Sequence, residues 1–182
     1  MRLGKVGLLL WLLTLQSCFI QPGGNKGINY SHLVFTAKVI RIMDGDTMEV
    51  LHQDKPVKIR LAHIDCPEKR GHQPFGTQAK QALSDLCFGQ MVTVQGQKYD
   101  RYKRLIAVVI NDKKQVINQE MVKQGMAWHF KKYSSDTLYA QLEIMARKNK
   151  TGLWQDSTAV APWAWRGMKV RYLPTNVENS HF

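Results

Sequence analysis

The sequence predicts a mainly β domain of the α+β class, a small Greek-key barrel accompanied by about three helices. Short strand-like segments are joined by tight turns, helical segments are few, and no repeat or second domain is visible along the chain. The elements follow in the order three strands, one helix, two strands and two helices. The chain has 182 residues, enough for one domain with a hydrophobic core.

Five segments have the apolar pattern and the flanking turn residues that are typical of β-strands. Turn residues separate the first three at 44–46 and 53–56. Strict alternation would place Arg60 and Asp65 on opposite faces of the third strand, so this strand must bend or end before Asp65 if both serve one site. The predicted strands are 35–42, 47–51, 57–64, 91–95 and 105–110.

Three segments predict helices. The first is 77–88, where apolar side chains recur at helical spacing and Gly89 provides the stop. Asn118 is predicted to cap a short helix that ends at Gly125, and Asp136 is predicted to cap a third. The third helix should turn one apolar face to the core, formed by Leu138, Leu142 and Met145.

Residues 1–17 have the layout of a signal peptide, because Arg2 and Lys5 precede an apolar run too short to span a bilayer comfortably. The run ends in LQSC at 15–18, which resembles the bacterial lipoprotein signal and predicts lipidation of Cys18. The alternative is an ordinary cleaved signal with an incidental cysteine. Both interpretations predict export, as a membrane-anchored envelope lipoprotein or as a periplasmic or secreted protein.

The rest of the chain divides into three parts. Residues 18–32, rich in glycine and asparagine, predict a flexible tether. The folded domain should occupy residues 33–167, in which residues 162–166 form a strap packed on the surface. Residues 168–182 are predicted to be a C-terminal tail.

The chain is strongly basic, with 26 Lys and Arg against 14 Asp and Glu and a formal net charge of +12. An excess of this size favours a polyanionic partner, such as nucleic acid or an anionic membrane. It carries no information about the fold.

Acidic residues cluster in two turns of the predicted barrel. Asp44 and Asp46 flank a glycine between the first two strands, and Asp65 and Glu68 follow the third. Hard cations such as Ca²⁺ prefer carboxylate and carbonyl oxygens, often contributed by separate segments. The alternative is that Asp-Gly-Asp serves only to form the turn.

Two arginines accompany these acids. Arg60 lies in the third strand among apolar and small residues, and Arg104 directly precedes the apolar strand 105–110. A guanidinium matches two phosphate oxygens and stays charged, which would suit a phosphoryl group that gains charge beside a cation. The alternative for each arginine is a surface residue or an ion-pair partner.

The combination resembles the staphylococcal nuclease family, also called thermonuclease or micrococcal nuclease. The stretches that carry the resemblance recur in order, at similar spacing, from residue 34 to residue 154. They read IMDGDT at 42–47, IRLAHIDCPE at 59–68, DRYKR at 100–104, VIN through VKQG at 116–125, and GLW at 152–154.

The resemblance implies an OB-fold, a five-stranded Greek-key barrel, and a Ca²⁺-dependent nuclease of endonuclease type. Such a phosphodiesterase would hydrolyse DNA and RNA at the P–O5′ bond and leave 3′-phosphate ends. The ion would be held by the carboxylates of Asp46 and Asp65 and by the backbone carbonyl of Cys66. We expect the protein to be a monomer.

The resemblance also assigns roles around the phosphate. Glu68 would act on the attacking water as general base, or orient it, while Arg60 and Arg104 would bind the phosphate and stabilise the transition state. Single-stranded or open regions would be favoured. Further substrate contacts would come from Arg101, Tyr102, Lys131 and Tyr133.

Some positions depart from the family's best-known member. Cys66 stands where threonine is expected, which leaves a backbone carbonyl unaffected, and Lys103 replaces a glycine. The stretch 130–132, Phe-Lys-Lys, lies where a nucleotide-contacting tyrosine is expected. Cys66 and Cys87 should stay unpaired, because the helix up to Cys87 spans on the order of 15 Å and a disulfide needs Cα atoms within about 7 Å.

Two other classes of function are alternatives. One is a non-catalytic OB-fold module of the cell envelope that binds single-stranded nucleic acid without cutting it, and the other is a structural envelope lipoprotein. A binding module has no need for acids that face a phosphate, since they repel it. The set that favours the nuclease comprises Asp46, Arg60, Asp65, Glu68 and Arg104.

Overall fold

The structure of the protein, a computed structural model, describes residues 33–168. The predicted signal peptide, the tether with Cys18 and nearly all of the predicted tail therefore lie outside the described residues. Between residues 33 and 168, no helix combines the length and the apolar character needed to cross a membrane.

The part of the chain from 33 to 168 folds into seven strands, four α-helices and one short 3₁₀ helix. In chain order these are β1 Val34–Asp44, β2 Thr47–His52, β3 Lys55–Leu61, β4 Ile64–Asp65, α1 Gly76–Cys87, β5 Met91–Tyr99, β6 Leu105–Ile110, α2 Ile117–Lys123, β7 Trp128–His129, α3 Thr137–Lys148, the 3₁₀ helix Gly152–Gln155, and α4 Pro162–Gly167.

Five of these strands close a barrel in the order β1-β2-β3-β6-β5. The pair β3 and β6 is parallel and the other four pairs are antiparallel, including β1 with β5, which completes the closure. The two-residue strands β4 and β7 form a separate antiparallel pair. The predicted five-stranded barrel of the α+β class is confirmed.

Alternate side chains fill the barrel. Along β6, Leu105, Ala107 and Val109 are fully buried while the residues between them are partly exposed, as expected for a strand with one face inward. Truncating a core residue such as Leu105 to alanine would cost about 2–5 kcal/mol. Cys66 and Cys87 are both buried and free, which confirms that they are unpaired.

Asn118 does not cap α2, contrary to prediction. The helix begins at Ile117 with Val116 in the N-cap position, and the Asn118 side chain is fully buried. Its Oδ1 accepts a hydrogen bond from the Val109 backbone N–H at 3.0 Å, and its Nδ2 donates to the carbonyls of Ala62 and Ala107 at 3.0 and 3.1 Å. Asn118 thus binds three backbone groups at the end of the β3–β6 pairing, where the Ala107 carbonyl also accepts from the Ala62 N–H at 2.8 Å.

Asp136 caps α3 as predicted, with its Oδ1 accepting from the Leu138 backbone N–H at 2.9 Å. The predicted inward face of α3 is right only for Leu142, which packs partly buried against the core, whereas Leu138 is 43 % and Met145 60 % exposed. The buried face is displaced by one residue, about 100° around the helix. It consists of Tyr139, Glu143 and Ala146.

Glu143 explains this displacement. Its carboxylate accepts a hydrogen bond from the His129 backbone N–H at 3.0 Å and pairs with Arg147 at 2.6 Å. The guanidinium of Arg147 in turn lies 3.7 Å from the centre of the Trp154 ring. Because these partners satisfy the buried carboxylate, Glu143 can lie on the buried face of α3 although its charge alone would favour exposure to solvent.

Candidate active site

Strand β3 ends at Leu61, before the predicted boundary at residue 64, and a turn through Ala62 and His63 leads into β4. His63 has a positive φ of 69°, which redirects the chain at this point. The turn brings Arg60 and Asp65 together, with Arg60 Nη2 2.8 Å from Asp65 Oδ1. The strand therefore ends before Asp65, as the sequence requires if the two residues share a site.

Arg60 forms the centre of an acidic cluster. Its Nη2 also lies 3.0 Å from Asp46 Oδ2, so one nitrogen contacts two carboxylates. Its Nη1 donates to the carbonyls of Leu61 and Ile64 at 2.8 and 2.9 Å. Burial lowers the pKa of Arg60, but the charges of Asp46 and Asp65 outweigh burial and raise the pKa above its ordinary value.

Asp46 is held in the turn between β1 and β2. Its Oδ1 accepts from the Thr47 hydroxyl at 2.8 Å and its Oδ2 from the Cys66 backbone N–H at 3.1 Å. Gly45 permits this geometry, since a Cβ there would lie 2.8 Å from the Cβ of Ala79 and 2.9 Å from that of Cys66. The Asp-Gly-Asp sequence therefore forms more than a turn, because it buries Asp46 against the segment that carries Asp65.

Asp65 is 1 % exposed and receives a second guanidinium, that of Arg166 in α4. Arg166 Nη2 lies 2.6 Å from Asp65 Oδ2, and Arg166 Nη1 donates to Asp65 Oδ1 at 3.4 Å and to Glu68 Oε1. Burial raises the pKa of Asp65, and the hydrogen bonds from Arg166 offset this only in part. Residues 162–166 do pack on the domain as a strap, but sequence pattern gave no signal that the strap ends in a site residue.

The segment that carries Glu68 is tied in place by Gln73. The Glu68 backbone N–H donates to Gln73 Oε1 at 2.9 Å, and the Gln73 backbone N–H donates to the Glu68 carbonyl at 3.2 Å. Gln73 Nε2 donates to the carbonyl of Val160 at 2.8 Å, just before α4. Gln73 therefore links the Glu68 segment to the approach of α4, a connection that sequence reasoning missed.

The cluster carries an excess of negative charge. Three carboxylates, those of Asp46, Asp65 and Glu68, pair with two guanidinium groups, those of Arg60 and Arg166, and a fourth carboxylate, that of Asp44, lies near Asp46 and Glu68. Burial, and then the neighbouring charge of Asp46, raise the pKa of Asp44, whose Oδ1 accepts from the Gly45 N–H at 2.9 Å. This excess favours binding of a further cation.

Arg104 reaches the same cluster through Thr47. Its Nε and Nη2 contact Asp100 Oδ2 at 2.8 and 2.7 Å, and its Nη1 lies 3.5 Å from the Thr47 hydroxyl, which donates to Asp46. Burial raises the pKa of Asp100, but hydrogen bonds from Arg104 and Tyr102 prevail and lower it. Asp100 thus remains ionised and orients Arg104, a role that the sequence did not indicate.

The predicted substrate-binding residues lie on two separate segments. Tyr102, 62 % exposed, lies in the β5–β6 connection, with the Arg101 guanidinium 4.8 Å from its ring centre. Tyr133, 69 % exposed, follows β7, the strand that pairs with β4, and exposed Lys131 lies on the same segment. Phe130 is anchored there, since its N–H donates to the His63 carbonyl at 2.8 Å. Both segments thus adjoin elements that carry the cluster.

The carboxylate and carbonyl oxygens of the cluster are the type of ligand that hard divalent cations prefer. In the described residues, no group of three or more His, Cys, Asp or Glu side chains converges on one metal position. The carboxylates of Asp46 and Asp65 nevertheless converge on a single cationic nitrogen of Arg60, so the space between them already accommodates positive charge. Ca²⁺ takes about six to eight oxygen ligands, and backbone carbonyls such as that of Cys66, together with water, would have to supply the others.

Comparison with known proteins gives a consistent result. A family model described as staphylococcal nuclease homologue matches residues 58–156. An uncharacterized endonuclease of Haemophilus influenzae is 46 % identical over 132 residues, 72 % of each chain. A micrococcal nuclease of Shigella flexneri is 41 % identical over 142 residues, 72 % of this chain and 80 % of the relative.

A plant relative, the staphylococcal-like nuclease CAN1 of Arabidopsis thaliana, is 33 % identical over 138 residues, 76 % of this chain and 41 % of the relative. The region matched by the family model contains Arg60, Asp65, Glu68 and Arg104, whereas Asp46 and Arg166 lie outside it. The resemblance of the sequence already indicated Asp46, whereas Arg166 is assigned to the cluster from the geometry of the structure alone.

Proposed function

The chain belongs to the staphylococcal nuclease family, and on that premise we propose that it is a Ca²⁺-dependent endonuclease. It would hydrolyse phosphodiester bonds of DNA and RNA. The observation that carries the proposal is the convergence of Asp46 and Asp65 on Arg60, with Arg104 one hydroxyl group away through Thr47. Two oxygen donors for a cation and two guanidinium groups for a phosphate thus meet at one point.

Asp46, Asp65 and the Cys66 carbonyl would hold the cation. Bound there, Ca²⁺ would polarise a phosphate oxygen and offset the repulsion between the carboxylates and the substrate. Four of the five N–H groups of Arg60 have protein acceptors. Arg60 would therefore bind a phosphate through Nε, or through Nη2 hydrogens once these no longer bond to the carboxylates. Arg104 is more available to a phosphate, because its Nη1 makes only a long contact, to Thr47.

Glu68 is suited to act on water. Its side chain is 26 % exposed, so it is accessible to solvent while its backbone is held by Gln73. The carboxylate would take a proton from water as the oxygen forms its bond to phosphorus, and the P–O5′ bond would break with the 5′-oxygen leaving. The negative charge that grows on the phosphate in the transition state would be stabilised by Arg60 and Arg104.

An open groove of about 700 Å³ lies beside these residues. Its lining includes Asp44 and Glu68 from the acidic cluster, and the basic side chains Lys69, Arg70 and Lys80. Basic side chains attract the nucleic-acid backbone irrespective of base sequence. A basic groove with the carboxylates at one wall supports binding of a chain of phosphates beside the groups that would cut it.

The exposed rings of Tyr102 and Tyr133 support a preference for single-stranded or open regions, because only unpaired bases stack on a side chain without cost to a duplex. Arg101 and Lys131 would contact phosphates nearby. Phosphate and ring-face contacts do not require a 2′-hydroxyl group, which supports action on both DNA and RNA. We propose that the protein acts as a monomer and that it is exported, held to a membrane through Cys18 or released.

The test uses single-stranded DNA, duplex DNA and RNA, each with Ca²⁺ and with a chelator. We expect cleavage only with Ca²⁺, fastest on single strands, and fragments with 5′-hydroxyl ends that a polynucleotide kinase labels without prior phosphatase treatment. Glu68→Gln is the matched control, because it keeps the size of the side chain and should lower the rate by about 10²–10⁴. Binding of these strands without cleavage in the presence of Ca²⁺ would instead establish the non-catalytic binding module.

A further inference from the structure

The C-terminal helix α4 contributes a guanidinium to the acidic cluster, and we propose that Arg166 is a further residue of the metal site. It is a positioning residue that acts through Asp65 and Glu68 and competes with the divalent cation for both carboxylates. The inference deepens the proposed function and rests on it. Arg166 lies outside the region that the family model matches.

The contacts of Arg166 leave Asp65 little capacity for another ligand. An ionised carboxylate offers about four lone pairs. Arg166 Nη2 and Nη1 take one on each oxygen, at 2.6 and 3.4 Å, and Arg60 Nη2 takes another on Oδ1 at 2.8 Å. The second contact of Arg166 Nη1, with Glu68, occupies the carboxylate that would act on water. A cation that binds Asp65 must therefore share it with these donors or replace one of them.

Of the two arginines bound to Asp65, Arg166 is the one that a cation can displace more easily. The Arg60 side chain is 13 % exposed and is also bonded to the carbonyls of Leu61 and Ile64, so its displacement would leave buried acceptors without partners. The Arg166 side chain is 42 % exposed, and water can solvate its guanidinium once it leaves Asp65. Arg166 thus stabilises these carboxylates and can be displaced at lower cost than Arg60.

Helix α4 is packed mainly through its first residues. Pro162 is buried, and the Trp163 ring stacks on Phe130 with ring centres 5.3 Å apart and meets Trp128 edge-on at 5.7 Å. From Ala164 to Met168 only Trp165 is half-buried and the others are exposed, so Trp165 and the ion pairs of Arg166 together hold the C-terminal half. Binding couplings are reciprocal, so if Arg166 weakens cation binding, the cation must loosen α4 to the same extent.

The first experiment measures Ca²⁺ affinity by calorimetry on the purified protein. Arg166→Met should bind Ca²⁺ about tenfold more tightly than wild type, because a positive charge in contact with a ligand carboxylate is removed. Arg166→Lys keeps the charge but cannot form the bidentate contact, so its Ca²⁺ affinity should lie between those of Arg166→Met and wild type. Arg41→Met is the matched control. It removes an exposed positive charge from β1 and should change the affinity less than about threefold, since solvent screens it.

The second experiment measures hydrogen exchange in the segment 159–168. In wild type, exchange should become faster when Ca²⁺ is added, and in Arg166→Met it should be fast already and insensitive to Ca²⁺. Unchanged or weaker Ca²⁺ binding by Arg166→Met, with wild-type binding intact, overturns the competition and leaves the proposed function standing. Absence of Ca²⁺ binding by wild type refutes the metal site, and the inference falls with it.

Discussion

Asp46, in the first hairpin of the barrel, and Asp65, in β4, contact the same nitrogen atom, Arg60 Nη2, at 3.0 and 2.8 Å. Two buried carboxylates are rarely held this close unless a cation lies between them. Here the cation between them is the guanidinium group of Arg60.

Asp46→Asn should weaken Ca²⁺ binding by roughly 100-fold, because it removes a charged ligand. The amide keeps the shape of the side chain, and its single oxygen can still accept one of the two hydrogen bonds, from Thr47 or from Cys66, that the two carboxylate oxygens accept separately. Calorimetric titration with Ca²⁺ measures the effect. Asp54→Asn, an equal loss of charge in the exposed β2–β3 turn, is the control and should bind as wild type does. Equal affinities for the two variants would show that Asp46 is not a ligand.

Arg60→Ala should lower the free energy of unfolding by about 3–5 kcal/mol without Ca²⁺, since two buried carboxylates lose their shared partner. Added Ca²⁺ should restore part of this loss, because it would replace the missing charge and bind only the folded state. Urea denaturation with and without Ca²⁺ gives both values. Arg41→Ala, at an exposed position of β1, should change the stability by less than about 0.5 kcal/mol. A stability of Arg60→Ala near that of Arg41→Ala would contradict the role of Arg60 as counter-ion.

Arg104→Ala should reduce cleavage by about 10²–10³ and leave nucleic-acid affinity largely unchanged. Binding draws on many basic side chains, so one arginine removes about one phosphate contact from the salt dependence. Cleavage depends on the charge that develops in the transition state, which a preorganised guanidinium stabilises most. The paired measurement is the cleavage rate with Ca²⁺ and the affinity for a short single strand at several salt concentrations. Cleavage near the wild-type rate would remove Arg104 from the active site.

Two histidines should make the fold less stable in acid. His63 Nδ1 and His129 Nε2 lie 2.8 and 3.0 Å from the same hydroxyl, that of Ser134. Burial lowers the pKa of both histidines below the ordinary value near 6.5. As the pH falls, these histidines therefore bind protons at a higher pH in the unfolded chain than in the folded protein. Their contribution to the free energy of unfolding is complete above about pH 6.5 and is lost as the pH falls towards the folded pKa values.

Urea midpoints measured between pH 7.5 and about pH 5 test this dependence on the histidines. Replacing His129 by Gln should flatten the decline, whereas His72→Asn, at an exposed position, should leave its slope unchanged. An equally steep decline in His129→Gln would assign the acid sensitivity to other groups.

Cys18 should carry lipid, although it lies outside the described residues. The exported protein should then partition into the detergent phase, and Cys18→Ser should move it to the aqueous phase. Partitioning that is the same for both proteins would favour an ordinary cleaved signal peptide. Cys87→Ser is unsuitable as a control because Cys87 is buried in the core.

Features that depend on neighbours in the chain could be predicted from the sequence alone. The Asp136 cap could be predicted because its partner, the Leu138 N–H, is two residues away. The strands of the barrel could be predicted because burial of one face imposes alternation, as in β6. The order and spacing of acids and arginines indicated the family, which the comparisons then confirmed.

The tertiary structure alone decided which distant groups satisfy one another. Asn118 was predicted as a cap, yet it bonds to Ala62, 56 positions away. The inward face of α3 was predicted one residue out of place, because Glu143 is buried by bonds to His129 and Arg147. Polarity and periodicity describe one segment at a time. The burial of Asn118 and Glu143 depends instead on hydrogen bonds to backbone groups of other segments.

Arg166 shows the same limit most clearly. It pairs with Asp65, 101 positions earlier, because α4 is held against Phe130 by Trp163 and so directs a guanidinium at a buried carboxylate. Nothing in the spacing of residues near Arg166 encodes that partner. The energy of an ion pair depends on the distance between its charges and on their burial, and only the folded chain sets these two quantities.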